Sequence, residues 1–311
     1  MTLDDTRWLV HARRLITATV CAGTLAAAGG GVASATTVPG DTTPADSAAP
    51  AEPVAIAVTL TETGIEGLPD DLVAGVVDVT VTDETEGAGG AFDFTLVEPG
   101  TDPATFVDGL SSLFQGGPFP DFFLNNAGVV GHTVTTLDAG EYIAWMDLAA
   151  NLDLESTVED IIAVPLTVGE GNNDAVIPPT DGAIRGGDYL FDVDVTAGGA
   201  TVTFTNSSDN QFHHVALMDF GTNDVALVEQ SLPVLLESEG EGPPPEGLDM
   251  EQFNPDFASS PVFGPGSSGT FDVTFEEGHT YVALCFIQDR DGGLPHAMQH
   301  QMINVFQVGA G

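Results

Sequence analysis

The sequence predicts an all-β protein, a sandwich or barrel. Three observations lead there: from Val54 onward the chain is dense in Val, Thr, Phe and Gly; its apolar runs are short and alternate with polar residues; and Gly, Asp and Asn turns separate them. Val79 and Val81 alternate with Thr80 and Thr82, and Val202 and Phe204 with Thr201, Thr203 and Thr205. A period of two of this kind buries one face of a strand. Only Asp102 to Phe114 and Asn223 to Leu236 suggest short helices, both within long connections.

The chain has 311 residues. Residues 1–35 read as a signal peptide: Arg7, Arg13 and Arg14 precede an apolar, small-residue run, Leu15 to Val32, and Ala33-Ser34-Ala35 fits the small-x-small cleavage rule. Val20 before Cys21 argues against lipid-anchor processing there. Residues 36–53, rich in Pro, Ala, Thr and Asp, have almost nothing large to bury and are expected to be a disordered linker. No later stretch approaches the roughly 20 apolar residues of a spanning helix. The expected location is extracytoplasmic, secreted or at the cell surface.

The charge is extreme, with 47 acidic residues against 5 basic ones and a net charge of −42. There is no Lys, and beyond the signal only Arg185 and Arg290 are basic. Nucleic acid and anionic membranes would be repelled. A solvated acidic surface is the simpler meaning; steering of a basic redox partner is the sharper one.

The sequence also repeats. Ala91 to Leu110 aligns without a gap on Phe212 to Ser231, and Asp138 to Leu148 on Glu277 to Ile287. Two matched blocks in one order point to duplication, with expected domains at 54–171 and 172–311. In this alignment Phe92 stands opposite His213 and Met146 opposite Cys285. The first copy therefore lacks whatever those residues do.

What they do is suggested by Tyr281 to Val308. An apolar run ends in Cys285, a Gly/Pro loop carries His296, and Met302 opens a final alternating segment. Upstream, Asn206 to Gly221 supplies His213 and His214. If Val215 and Leu217 point into the sandwich, His213 does too and His214 points the other way, either to solvent or toward the ligands as an outer hydrogen-bond partner. Thiolate, imidazole and thioether together suit copper better than oxygen-seeking cations, and Cys/His/His with a distant Met is an electron-transfer set. Between Cys285 and Met302 both His296 and His300 are available, and Met298 competes with Met302. His300, two residues before Met302, is too close along an extended segment to share one ion with it from a different direction.

The order His, Cys, His, Met resembles the cupredoxins, the blue copper proteins, and most of all an exported bacterial branch with an aromatic after the Cys, a long Cys-to-His loop and a Pro-His pair. The resemblance implies that the two copies are tandem Greek-key β-sandwich domains, and that the second holds one type 1 copper, with Cys285 as thiolate, His213 and His296 as equatorial imidazoles and Met302 as a weak axial ligand. It also implies one-electron transfer rather than enzyme catalysis; no oxidase-type His-x-His pair or hydrolase motif stands out. A metal-free binding module or a copper carrier is the alternative. Asp289-Arg290-Asp291-Gly292-Gly293 lacks the spaced carboxylates of a calcium loop and is expected to be a turn with a local Arg-Asp pair. Glu237 to Glu251 reads as an exposed acidic loop.

Overall fold

A computed structural model describes residues 51–85, 91–149, 157–237 and 245–309. The expected signal peptide, most of the linker and the centre of the acidic loop lie outside the described residues. The linker's last residues, 51–53, lie within them, and Ala51 already bridges Ala175.

The first half runs β1 (Val54–Thr61), β2 (Gly64–Glu66), β3 (Gly75–Asp83), β4 (Ala91–Val97), α1 (Pro103–Phe114), β5 (Phe123–Val130), β6 (His132–Leu137), β7 (Gly140–Asp147) and β8 (Ile161–Val168). The second runs β9 (Gly182–Gly187), β10 (Leu190–Asp194), β11 (Thr201–Asn206), β12 (Ala216–Asp219), α2 (Val225–Glu237), β13 (Asn254–Ser259), β14 (Ser268–Asp272), β15 (Thr280–Leu284), α3 (His296–Gln299) and β16 (Ile303–Gln307). Both longer helices fall within a few residues of their predicted spans. Asp102 explains where α1 starts: its carboxylate accepts the Ala104 and Thr105 N–H groups, and Pro103 follows with φ already suited to a helix. Phe106 and Leu110, one turn apart, are its buried face.

Strand pairing is the same in the two halves. β1 pairs antiparallel with β2 and parallel with β3, which pairs antiparallel with β6. β9 does the same with β10 and β11, and β11 with β14. The other sheets are β5-β4-β7-β8 and β13-β12-β15-β16, each antiparallel throughout. β6 and β14 meet at Thr135 and Gly269, so a single eight-stranded sheet runs through both halves in the order β10-β9-β11-β14-β6-β3-β1-β2. The main core likewise holds buried residues of both, among them Val58, Phe94, Phe204 and Tyr281.

One expectation changes here. A single buried face per strand does not hold for β12 and β15, in which every residue is buried. The reason is a second apolar cluster behind that sheet, where Val228 and Leu232 of α2, one turn apart, pack with Leu248, Met218, Val282, Leu284 and Phe286. Leu248 belongs to the expected exposed acidic loop and is itself buried.

The ladders also correct the repeat alignment. Tyr142 pairs with Leu96, whereas Tyr281 pairs with Asp219. With the two tyrosines as equivalents, Leu96 corresponds to Asp219, which moves Phe92 to the register of Val215 and leaves Met146 at that of Cys285. The counterpart of His213 becomes Gly90, outside the described residues. The gapless match was two residues out, and because side chains alternate with period two, such a slip keeps every residue on its face and is invisible in the apolar pattern.

Candidate metal centre

Three separate segments bring the donors together. His213 precedes β12 and is held there by a two-way bridge to Phe263, with N–H to carbonyl distances of 3.0 and 2.9 Å. Cys285 follows β15 directly. His296 opens α3, eleven residues later, yet is drawn back to Cys285 because its N–H donates to the Ile287 carbonyl at 2.8 Å and the Ala297 N–H to the Cys285 carbonyl at 2.8 Å. Met302 closes the frame: its N–H donates to the His296 carbonyl and its carbonyl accepts the Cys285 N–H.

The side-chain atoms form a triangle. Cys285 Sγ lies 3.6 Å from His213 Nδ1 and 3.4 Å from His296 Nδ1, and the two nitrogens are 3.1 Å apart. The point equidistant from all three is about 2.0 Å from each, the length of an imidazole nitrogen to metal bond and slightly short for a thiolate. All three residues are fully buried, and Cys285 is not in a disulfide. Among the described residues this is the one cluster of three or more His, Cys, Asp or Glu side chains that could hold an ion.

The expected fourth residue, Met302, is also fully buried in the main core. Its methyl reaches across the sandwich to β9, where a Cβ added to Gly186 would stand 3.2 Å from it. A glycine there leaves room for the thioether. His300 is elsewhere: its ring stacks on Tyr189 at 3.7 Å and its Nε2 lies 2.8 Å from Asp289 Oδ2.

Electrostatics favour metal over proton at the imidazoles. Burial pushes the pKa of His213 down to about 3 and that of His296 to about 4, with the neighbouring His296 adding to the effect on His213 and Asp289 partly opposing it on His296. Both rings are neutral at pH 7, with a lone pair free for a cation. Burial pushes the Cys285 thiol up to about 12, an effect partly offset by the backbone N–H groups of His214 and Ile287 donating to the sulfur. A cation at the centre of the triangle would supply the missing charge that keeps the thiolate.

His214 is not at the surface. It is buried behind the sheet, and its Nε2 accepts the Phe286 N–H at 3.0 Å, so the ring proton sits on Nδ1, 3.4 Å from Ser259 Oγ. The side chain thus braces the backbone next to Cys285 from the opposite face, as one of the two roles open in the sequence required.

The Asp289 to Gly293 turn differs from expectation. Asp289 is a hub: it accepts from Tyr189 Oη and Gln299 Nε2 at 2.8 Å each, meets His300, and lies 3.3 Å from His296 Nε2, outside hydrogen-bond geometry. Burial alone would raise its pKa, but these donors hold it below the usual carboxylate range. Among the described contacts Arg290 makes no hydrogen bond or ion pair to Asp289 or Asp291, although the Asp291 charge still acts on it; its guanidinium lies 4.9 Å from the Phe212 ring centroid and donates to the Phe123 carbonyl. Nothing in the sequence marked Tyr189 or the Phe119 segment as neighbours of the site, because each reaches it through long-range packing.

No protein-family model matches the chain, and neither does any curated protein. Among solved structures, a reduced auracyanin from Roseiflexus castenholzii is similar over 41% of this chain and 94% of its own, at 29% identity and a TM-score of 0.26. Auracyanin B matches over 43% and 92% respectively, at 18% identity and a TM-score of 0.25. Auracyanin A of Chloroflexus aurantiacus, described as a "blue" copper protein, matches over 34% and 85%, at 23% and 0.23. At such TM-scores the likenesses carry no argument, and the donor geometry has to stand by itself. The structural neighbours are auracyanins, and this all-β chain presents a copper-ligand-like His/Cys/His/Met arrangement of its own.

Proposed function

We propose that this protein is an exported one-electron carrier with a single type 1 copper held by His213, Cys285 and His296, with Met302 as the weak fourth ligand. The observation that carries the reading is the triangle of Nδ1, Nδ1 and Sγ whose centre sits at metal-bond length from both nitrogens and slightly inside it from the sulfur. Two imidazoles, one thiolate and a thioether form the donor set that selects copper for electron transfer. Bound there, copper would supply a one-electron couple between Cu(II) and Cu(I).

The chain's own residues do the rest. Burial of His213, Cys285 and His296 excludes water as a further ligand. The His214 and Ile287 N–H groups stabilise negative charge on sulfur. Backbone hydrogen bonds among Cys285, Ile287, His296, Ala297 and Met302 fix the donors before any ion arrives, so little would move when an electron does.

The tandem organisation, 54–171 without copper ligands and 172–311 with them, belongs to the same proposal. It is supported by the identical strand pairing of the two halves and by Met146 at the register of Cys285. A cleaved signal at residues 1–35 would place the protein outside the cytoplasm, and no described helix is long and apolar enough to cross a membrane. The net charge of −42 suits a basic redox partner.

Copper stoichiometry and the visible spectrum of the purified protein test the reading. One copper per chain with an intense thiolate-to-copper band that bleaches reversibly on reduction is expected. A folded protein that takes up no copper under oxidising conditions, or that loses it on reduction, would refute an electron carrier.

A further inference from the structure

The half without metal donors reaches the site. Between α1 and β5 the chain runs through Gly116, Gly117, Pro118 and Phe119 to Phe123, and this segment lies against the loop that joins Cys285 to His296. The Gln288 Nε2 donates to the Gly117 carbonyl at 2.6 Å, and the Phe119 N–H donates to the Arg290 carbonyl at 2.9 Å. The Arg290 guanidinium donates to the Phe123 carbonyl. Gly292, at φ +88°, lies beside Pro118, where a Cβ would be in ordinary contact with Pro118 N at 3.5 Å. The loop could not shift outward without breaking this series.

The same segment also touches the residue before His213. The Phe119 ring stacks on Phe212 at 4.7 Å and 19°, and the Arg290 guanidinium lies 4.9 Å from the same Phe212 ring. The Arg290 N–H donates to Gln211 Oε1 at 3.0 Å, tying the Cys285 loop to the His213 segment directly. Thus one stretch of the first half is locked to the two chain segments that carry His213 and Cys285, and to the loop that leads on to His296. Stacked aromatic and cation–π contacts of this kind favour the one loop conformation in which they form.

We propose that the 117–123 segment is a clamp, with Phe119 and its partner Arg290 as positioning residues, and that the copper-free half exists in part to hold the donor loop of the other half in metal-ready geometry. The proposal rests on the metal reading above only for its spectroscopic consequences; the loop ordering stands without any ion. A loop of ten residues between two donors has many conformations, and a clamp that removes them lowers the cost of bringing His296 to Cys285.

The experiment compares the full-length wild type with Phe119→Ala and Arg290→Met, and with Thr135→Val as a control. Thr135 Oγ1 donates to the Ser268 carbonyl at 2.8 Å, so the control cuts a contact between the halves that does not touch the loop. Hydrogen exchange in the metal-free protein is read first. Amides of residues 286 to 300 should exchange at least ten times faster in the clamp variants and unchanged in the control, with the core strands protected in all. Cu(II) added to the same samples should then bind more slowly to the clamp variants and give a weaker or shifted visible band. If Phe119→Ala does not fold, Phe119→Leu, which keeps bulk and removes the stack, replaces it. Wild-type exchange in folded clamp variants would overturn the proposal, as would an equal effect in the control. Faster exchange with no copper bound by any sample, wild type included, would support the clamp and sink the electron carrier.

Discussion

The two halves share nine elements in one order and one pairing scheme, yet differ at the end of a single strand. β7 carries Met146 next to its last residue, and β15 passes into Cys285. Both side chains are buried, both lie one strand from the same kind of neighbour, and both belong to the main core. The difference is what stands around them. Near Cys285 are His213 and His296, carried by a bridge to Phe263 and by a long loop that returns to the strand; after Met146 the chain has no His before β8. A sandwich of this kind is a frame that accepts a metal site but does not require one, which is the general lesson that fold and function are separate.

The sharpest way to break that contrast is at the sulfur. Cys285→Ser should abolish the visible thiolate-to-copper band completely while the protein stays folded, because the buried hydroxyl replaces the thiol at nearly equal size. Met146→Cys in the wild-type background should create no second band, since a thiolate without imidazoles is no type 1 site. A second blue copper in that variant, read by copper stoichiometry and absorbance, would show that the register of the halves has been misjudged.

The next test concerns the two loop histidines. His296→Gln should remove the band, whereas His300→Gln should leave it, because His300 Nε2 is occupied by Asp289 and its ring by Tyr189. The reverse outcome in the absorption spectra would move the ligand to His300 while keeping the fold.

How much of this was legible beforehand follows from which forces act locally. The strands, the helix opened by Asp102 and the order of donors were readable, because alternation, capping and a short list of metal-binding side chains are properties of the sequence itself. The burial of His214 was not, because the groups that meet its ring, the Phe286 N–H and the Ser259 hydroxyl, come from segments 72 and 45 residues away. Nor was the role of Arg290, which leaves its neighbouring aspartates for Phe212 and Phe123. With only two arginines beyond residue 35 in a chain of net charge −42, a local ion pair was the obvious reading, and the packing of the halves overrode it.

A smaller effect is expected with pH in the metal-free protein. Burial pushes the pKa of His214 down to about 3, and protonation at Nε2 would cost it the Phe286 N–H. The unfolded chain takes up that proton near the ordinary value of about 6.5, so below it the unfolded state binds more protons than the folded one. The contribution of this ring to stability should be level above pH 7 and fall as pH drops from about 6.5 toward about 3, by a few kcal/mol at most. Depressed His213 and His296 add in the same direction. His214→Gln should flatten the slope in urea titrations at successive pH values; an unchanged slope would mean that the ring finds a proton acceptor when folded.

The smallest effect separates the halves at their shared tyrosine. Tyr142 Oη accepts the Asp138 N–H at 3.0 Å and donates to the Asp138 carbonyl at 3.1 Å, two bonds to one residue. Tyr281 Oη accepts the Glu276 N–H at 2.8 Å and donates to the Asp219 carboxylate, so its second partner is a charged side chain. A net hydrogen bond is worth about 0.5 to 1.5 kcal/mol, more to a charged group, and an orphaned buried backbone group adds to the loss. Tyr142→Phe should therefore destabilise by about 2 kcal/mol and Tyr281→Phe by at least as much, measured as shifts of the urea midpoint at constant m. Neither hydroxyl is among the partners of Cys285, His213 or His296, so the visible band should be the same in both. A clearly smaller loss in Tyr281→Phe would mean that its Asp219 contact contributes nothing. A change of band in Tyr281→Phe would mean that β15, which carries Tyr281 and leads into Cys285, passes strain at its start along four residues to the sulfur.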